Sequence, residues 1–187
     1  TFSEAVTGLE LAEITVGNGT ASNLEGSGTT YTFNVTPVAD GDVTVDIAAD
    51  VAQDAATNGN AAATQLSVTT DGTNPTVTLT SDATDPQSGV FTVTATFSEA
   101  VTGFAFDLPT IVNGSLSNFA ATSASIYTFD VTPTADGAVT VNVAADVATD
   151  AAGNGNVVAS QLSVTTDGTD PTVTLTSDAT DPQSGVF

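Results

Sequence analysis

The chain is 187 residues long and carries 22 Asp and Glu side chains against no Lys, Arg or His, a formal net charge of −22, and it also lacks Cys, Met and Trp. Those absences exclude a thiolate nucleophile, an imidazole base, a soft-metal site and any side-chain ion pair, and nothing is left to neutralise the phosphates of a nucleic acid or an anionic membrane surface. Every carboxylate must be satisfied by water, by backbone N–H groups or by a bound cation, while 40% apolar residues suffice for a folded core.

Thr1 opens in mid-pattern and without Met, and no charged-then-apolar leader follows it. An internal window of a longer polypeptide is therefore expected. No apolar run approaches the roughly 20 residues a membrane helix needs, so direct membrane insertion is not expected. TFSEAVTG at 1–8 returns at 96–103, and the thirty residues ending at Phe91 return almost unchanged ending at Phe187. The offset is 95 residues near the start and 96 from Tyr31 and Tyr127 onward, so one residue is gained between Asn118 and Tyr127. That period is the size of one small autonomous β domain.

Period-2 alternation predicts strands. In chain order, strand A covers 75–81 (Val77, Leu79) and B covers 89–98 (Phe91, Val93, Ala95, Phe97). C is expected over 104–112, D over 115–121 and E over 126–132 (Tyr127, Phe129, Val131). F follows over 138–145 (Val139, Val141, Val143) and G over 157–166 (Leu162, Val164). Turn residues separate them: Asp85-Pro86-Gln87-Ser88-Gly89, Asn113-Gly114, Ala135-Asp136-Gly137 and Gly153-Asn154-Gly155-Asn156. The fold class is all-β, with tandem immunoglobulin-like Greek-key sandwiches and the Phe and Tyr side chains in their cores. Residues 71–166 make the complete module. Residues 1–70 lack its first strand and most of its second, and 167–187 supply the first strands of a third.

FSEAVTG, the NGTASNL and NGSLSNF segments, YTF followed by TP and ADG, and the GNGN stretch together resemble the bacterial Ig-like (Big) repeats of very large adhesins. The resemblance covers essentially the whole chain in both copies. It implies a secreted protein held at the bacterial cell surface and used in adhesion or biofilm formation.

The Greek-key order puts the B–C loop, the F–G loop and the incoming linker at one pole of a module. Glu99, then Asp150, Asn154 and Asn156, and Asp71 of the linker should converge there. The preceding module offers Asp40 and Asp42 in its E–F turn. At the next junction the corresponding groups are Asp167 and Asp170, with Asp82, Asp85 and Asp136, and Glu4 and Asp54 join the set in the first repeat. Carboxylates converging without a basic partner suit a hard, oxygen-liganded cation such as Ca²⁺. The competing reading is solvated turn residues that cap their own backbone as Asx turns. Asp82 and Asp85 share one turn without a sugar-binding cleft, so a glycosidase pair is not expected, nor is any other catalysis. The leading functional expectation is an extracellular spacer whose partners are neighbouring Ig-like modules of the same or an identical chain. The alternatives are a filament or sheath subunit, with 167–187 completing the 1–70 module of another chain, and a carbohydrate-binding accessory module.

Overall fold

The structure, a computed structural model, describes residues 1–178. The described backbone divides into two compact units, Thr1–Pro75 with Thr149–Gly155, and Thr76–Ala148 with the chain from Asn156 on. The first holds strands β1 (Ile14–Gly17), β2 (Gly19–Ser27), β3 (Thr30–Pro37), β4 (Gly41–Ile47) and β5 (Leu66–Thr70), preceded by a single 3-10 turn over Leu11–Glu13. The second holds β6 (Val77–Ser81), β7 (Phe91–Phe97), β8 (Thr110–Val112), β9 (Gly114–Ala121), β10 (Ile126–Pro133), β11 (Gly137–Asn142) and β12 (Leu162–Thr166).

In the second unit β6-β7-β10-β9 form one antiparallel sheet and β12-β11-β8 the other. In letters this is A-B-E-D facing G-F-C, the arrangement of a seven-stranded constant-type Ig sandwich. The alternating phases meet between the sheets as expected. Phe129, Val131, Val93, Val141 and Val143 are essentially inaccessible, and Phe97 and Val164 are buried with them. Phe104 stands edge-on to Phe97 and Tyr127, with ring centroids 5.2 and 5.0 Å away. Asn118, in the left-handed region at φ 51°, starts a bulge that sets Asn118 and Phe119 opposite Phe129. Asn23 repeats it in the first unit at φ 53°.

The first unit contains the counterparts of C, F and G (β1-β4-β5) and of D and E (β2-β3). It has no counterpart of β6, and the matching segment of β7 is only its end, so β3 pairs on one side alone. The packing consequence is visible in Tyr31, Phe33 and Val35, which are half-buried where Tyr127, Phe129 and Val131 are buried.

Three expectations need correction. Strand C begins at Thr110 rather than at 104. Pro109 cannot donate to a ladder, and the Leu108 N–H turns back to the Ala105 carbonyl at 3.2 Å. Phe106 therefore lies outside the alternation and is 53% exposed, an exception to the expected aromatic core. Strand G likewise starts at Leu162, leaving Val157 and Val158 before it exposed. Finally, residues 167–178 form no strand, and Val173 and Leu175 are exposed. A strand is held by ladder partners, and no described strand pairs with this one. The rest of the expected third-module segment lies outside the described residues.

Candidate metal centre

The F–G loop is built around Asp150. Its Oδ1 accepts three consecutive backbone N–H groups, from Ala152 at 2.8 Å, Gly153 at 2.7 Å and Asn154 at 2.8 Å. Its Oδ2 accepts the Asn154 side-chain amide at 2.8 Å, and the Asp150 N–H closes the loop onto the Asn154 carbonyl at 3.1 Å. Gly153 makes the turn at φ 94°, a conformation that favours glycine. Asp150 is 5% exposed. Burial pushes its carboxyl up, but the Asn154 amide and the three N–H groups favour the anion more strongly, and the net shift is downward from 3.8. The loop thus holds an ionised, nearly buried carboxylate. Three donors occupy Oδ1, while Oδ2 takes one donor and keeps a lone pair for a cation.

The same loop holds the incoming linker. Asn154 donates its side-chain amide to the Asp71 carbonyl at 3.1 Å as well, and the Asn74 amide donates to the Gly155 carbonyl. Asp71 folds into an Asx turn, its Oδ1 accepting the Thr73 N–H at 3.0 Å. The B–C loop that carries Glu99 is pinned on either side. The Ser98 N–H donates to the Thr76 carbonyl, the Val101 N–H to the Ala124 carbonyl, and the buried Tyr127 hydroxyl to the Val101 carbonyl.

One carboxylate oxygen of Asp71 and one of Asp150 lie within 4.8 Å of each other. Asp71 and Asp150 belong to the first compact unit and Glu99 to the second. Ca²⁺ binds oxygen at about 2.3–2.6 Å, so two oxygens this close fit on the coordination sphere of one ion. Zn²⁺ and copper would want imidazole or thiolate, which the chain lacks.

The other expected ligands occupy different positions. Asn156 is 1% exposed and fully used: Oδ1 accepts the Val147 and Ala148 N–H groups at 3.0 and 2.8 Å, and its amide donates to the Ala144 and Val157 carbonyls, each at 2.8 Å. Its role is to staple the start of the F–G connection to its end, so it does not enter the cluster. Asp40 and Asp136 accept hydrogen bonds from the outgoing linkers. Asp42 accepts the Thr69 hydroxyl at 2.6 Å. Asp82 accepts the Thr92 N–H at 2.7 Å and ties β6 to β7. Asp167 makes the same Asx turn as Asp71, with the Thr169 N–H at 3.1 Å. Asp85 and Asp170 are exposed. In the first repeat Asp54 builds a loop like that of Asp150, accepting the Ala56 and Asn58 N–H groups at 2.8 and 2.9 Å and the Asn58 amide at 2.8 Å. Glu4 and Asp54 line a shared surface depression with Asn58. Asn58 and Asn60 fall outside the sequence expectation, though the 96-residue offset marks them as counterparts of Asn154 and Asn156.

A family model described as a bacterial Ig-like domain matches residues 1–70 and again 71–166. A search of curated proteins finds no match. No helix among the described residues is long and apolar enough to cross a membrane.

Proposed function

This chain belongs to the bacterial Ig-like domain family, and we propose that it serves as an extracellular spacer of tandem repeats in a bacterial cell-surface adhesin, with Ca²⁺ bound where the linker enters a repeat. Domains of this family are typical of surface or extracellular bacterial proteins and are typically non-catalytic structural modules. The observation that supports the calcium reading is the approach of the Asp71 and Asp150 carboxylates in a chain without a single basic side chain. No ammonium or guanidinium can offset that charge, and monovalent salt only screens it over about 8–10 Å. A divalent ion would neutralise it, and because Asp71 lies on the linker, the ion would tie the linker to the repeat that follows. Backbone carbonyls and water would complete the six to eight oxygens Ca²⁺ takes. The absence of any thiol, imidazole or amine agrees with a structural rather than a chemical role.

The experiment is small-angle scattering on a chain of two complete repeats, in Ca²⁺ and in chelator at matched ionic strength. The spacer reading predicts a longer maximum dimension with Ca²⁺. Superimposable curves, unchanged by Glu99→Gln, would remove the calcium part of the proposal.

A further inference from the structure

Strand G ends in Thr-Thr and runs on into Asp-Gly-Thr in both repeats, at 69–73 and 165–169, and the E–F turn reads Ala-Asp-Gly in both, at 39–41 and 135–137. The fold joins these two segments in the same way twice. Asp40 Oδ1 accepts the Gly72 N–H at 2.7 Å, and its Oδ2 accepts the Thr73 hydroxyl. Asp136 Oδ1 accepts the Gly168 N–H at 2.7 Å, and its Oδ2 accepts the Thr169 hydroxyl. One step back along the chain, the Thr70 hydroxyl donates to the Gly41 carbonyl at 3.1 Å, and the Thr166 hydroxyl donates to that of Gly137 at 2.9 Å.

We propose that the E–F aspartate and the threonines flanking Asp-Gly form a metal-free latch that holds the outgoing linker against the repeat it leaves. Three observations support it. Each carboxylate receives two hydrogen bonds from the linker, and bonds to an ionised acceptor are the strong class. The Asp71 and Asp167 Asx turns fold Thr73 and Thr169 back, so the latch engages a preformed turn. The second copy forms although the chain beyond it, 170–178, is in no strand and is exposed. It therefore needs no strand over 170–178. The Thr73 and Thr169 hydroxyls, then the Gly72 and Gly168 N–H groups, hold both carboxyls below their ordinary value of 3.8. The latch is thus ionised at neutral pH.

This inference stands apart from the calcium reading, and one experiment separates them. Amide hydrogen exchange is measured on the 187-residue chain in excess chelator and again in Ca²⁺. The latch predicts that Gly72 and Gly168 exchange at least about tenfold more slowly than unbonded amides in both conditions. In Asp136→Ala, Gly168 should lose that protection while Gly72 and the β10 amides keep theirs. Unprotected Gly72 and Gly168 in the chelated wild-type chain would overturn the latch. Protection that appears only on adding Ca²⁺ would also overturn it, by making Asp40 and Asp136 metal ligands. Both of these outcomes are read without any variant.

Discussion

Asn60 and Asn156 stand 96 residues apart and make the same four hydrogen bonds. Asn156 Oδ1 accepts the N–H groups of Val147 and Ala148, and its amide donates to the carbonyls of Ala144 and Val157. Asn60 does the same with Val51, Ala52, Ala48 and Ala61. One side chain thus satisfies four backbone groups where the chain leaves strand F and returns toward strand G.

Asn156→Ala should cost about 3 kcal/mol or more, because it strands buried donors and acceptors at about 1–3 kcal/mol each. Chemical denaturation of the chain measures it. A loss under about 1 kcal/mol would show that water replaces the amide and that Asn156 is no staple.

Phe129 and Phe33 hold the same place in β10 and β3, but Phe129 is fully buried and Phe33 is half-buried. Phe129→Ala should cost about 3–5 kcal/mol as a core aromatic truncation, and Phe33→Ala distinctly less. Equal losses would mean that strands β6 and β7 add nothing to the burial of this position.

Gly137 sits at φ 118° in the E–F turn. A Cβ there would meet nothing within 4 Å, so any penalty comes from the backbone alone. Gly137→Ala should cost about 1–3 kcal/mol by thermal unfolding. Gly168→Ala, whose Cβ would make only ordinary contacts at 3.7 and 3.8 Å, should cost much less. A neutral Gly137→Ala would show that the turn can be rebuilt.

The pH dependence has a definite sign. Asp150 titrates below 3.8 in the folded chain, so its contribution is present above the unfolded value and is lost as pH falls through the folded one. The stability advantage of wild type over Asp150→Asn should be constant near neutral pH, begin to shrink as pH falls past the ordinary carboxylate value of 3.8, and vanish only below the lower folded value. An advantage that survives full protonation would mean the loop depends on the shape of the side chain, not on its charge.

Much of the architecture is legible in the sequence because alternation and turn chemistry agree. Phe97, Phe129 and Val164 fall in the phases that the sandwich buries. Phe106 misleads, because Phe104, Phe106 and Leu108 alternate like a strand while Pro109 removes the ladder donor. The approach of Asp71 to Asp150 is legible in Greek-key order, since the linker and the F–G loop share one pole. Asp40 and Asp136 are harder. They read as candidate cation ligands, and only the fold shows that Gly72 and Gly168, 32 residues on, return to them. Asn156 misleads in the same way: composition cannot tell a ligand oxygen from one already accepting two N–H groups.

Calorimetric titration of Ca²⁺ into the chelator-treated chain tests the central claim most directly. The account predicts saturable binding in the 10⁻⁴–10⁻³ M range common to extracellular Ca²⁺ modules, abolished or much weakened by Glu99→Gln and by Asp150→Asn. Asp85→Asn, a change at an exposed turn carboxylate, should leave it unchanged. Ca²⁺ at 100 times its dissociation constant should also add about 2.7 kcal/mol to stability. No binding heat, or a heat that Glu99→Gln and Asp85→Asn alter equally, would contradict the account and leave these carboxylates as a solvated acidic coat.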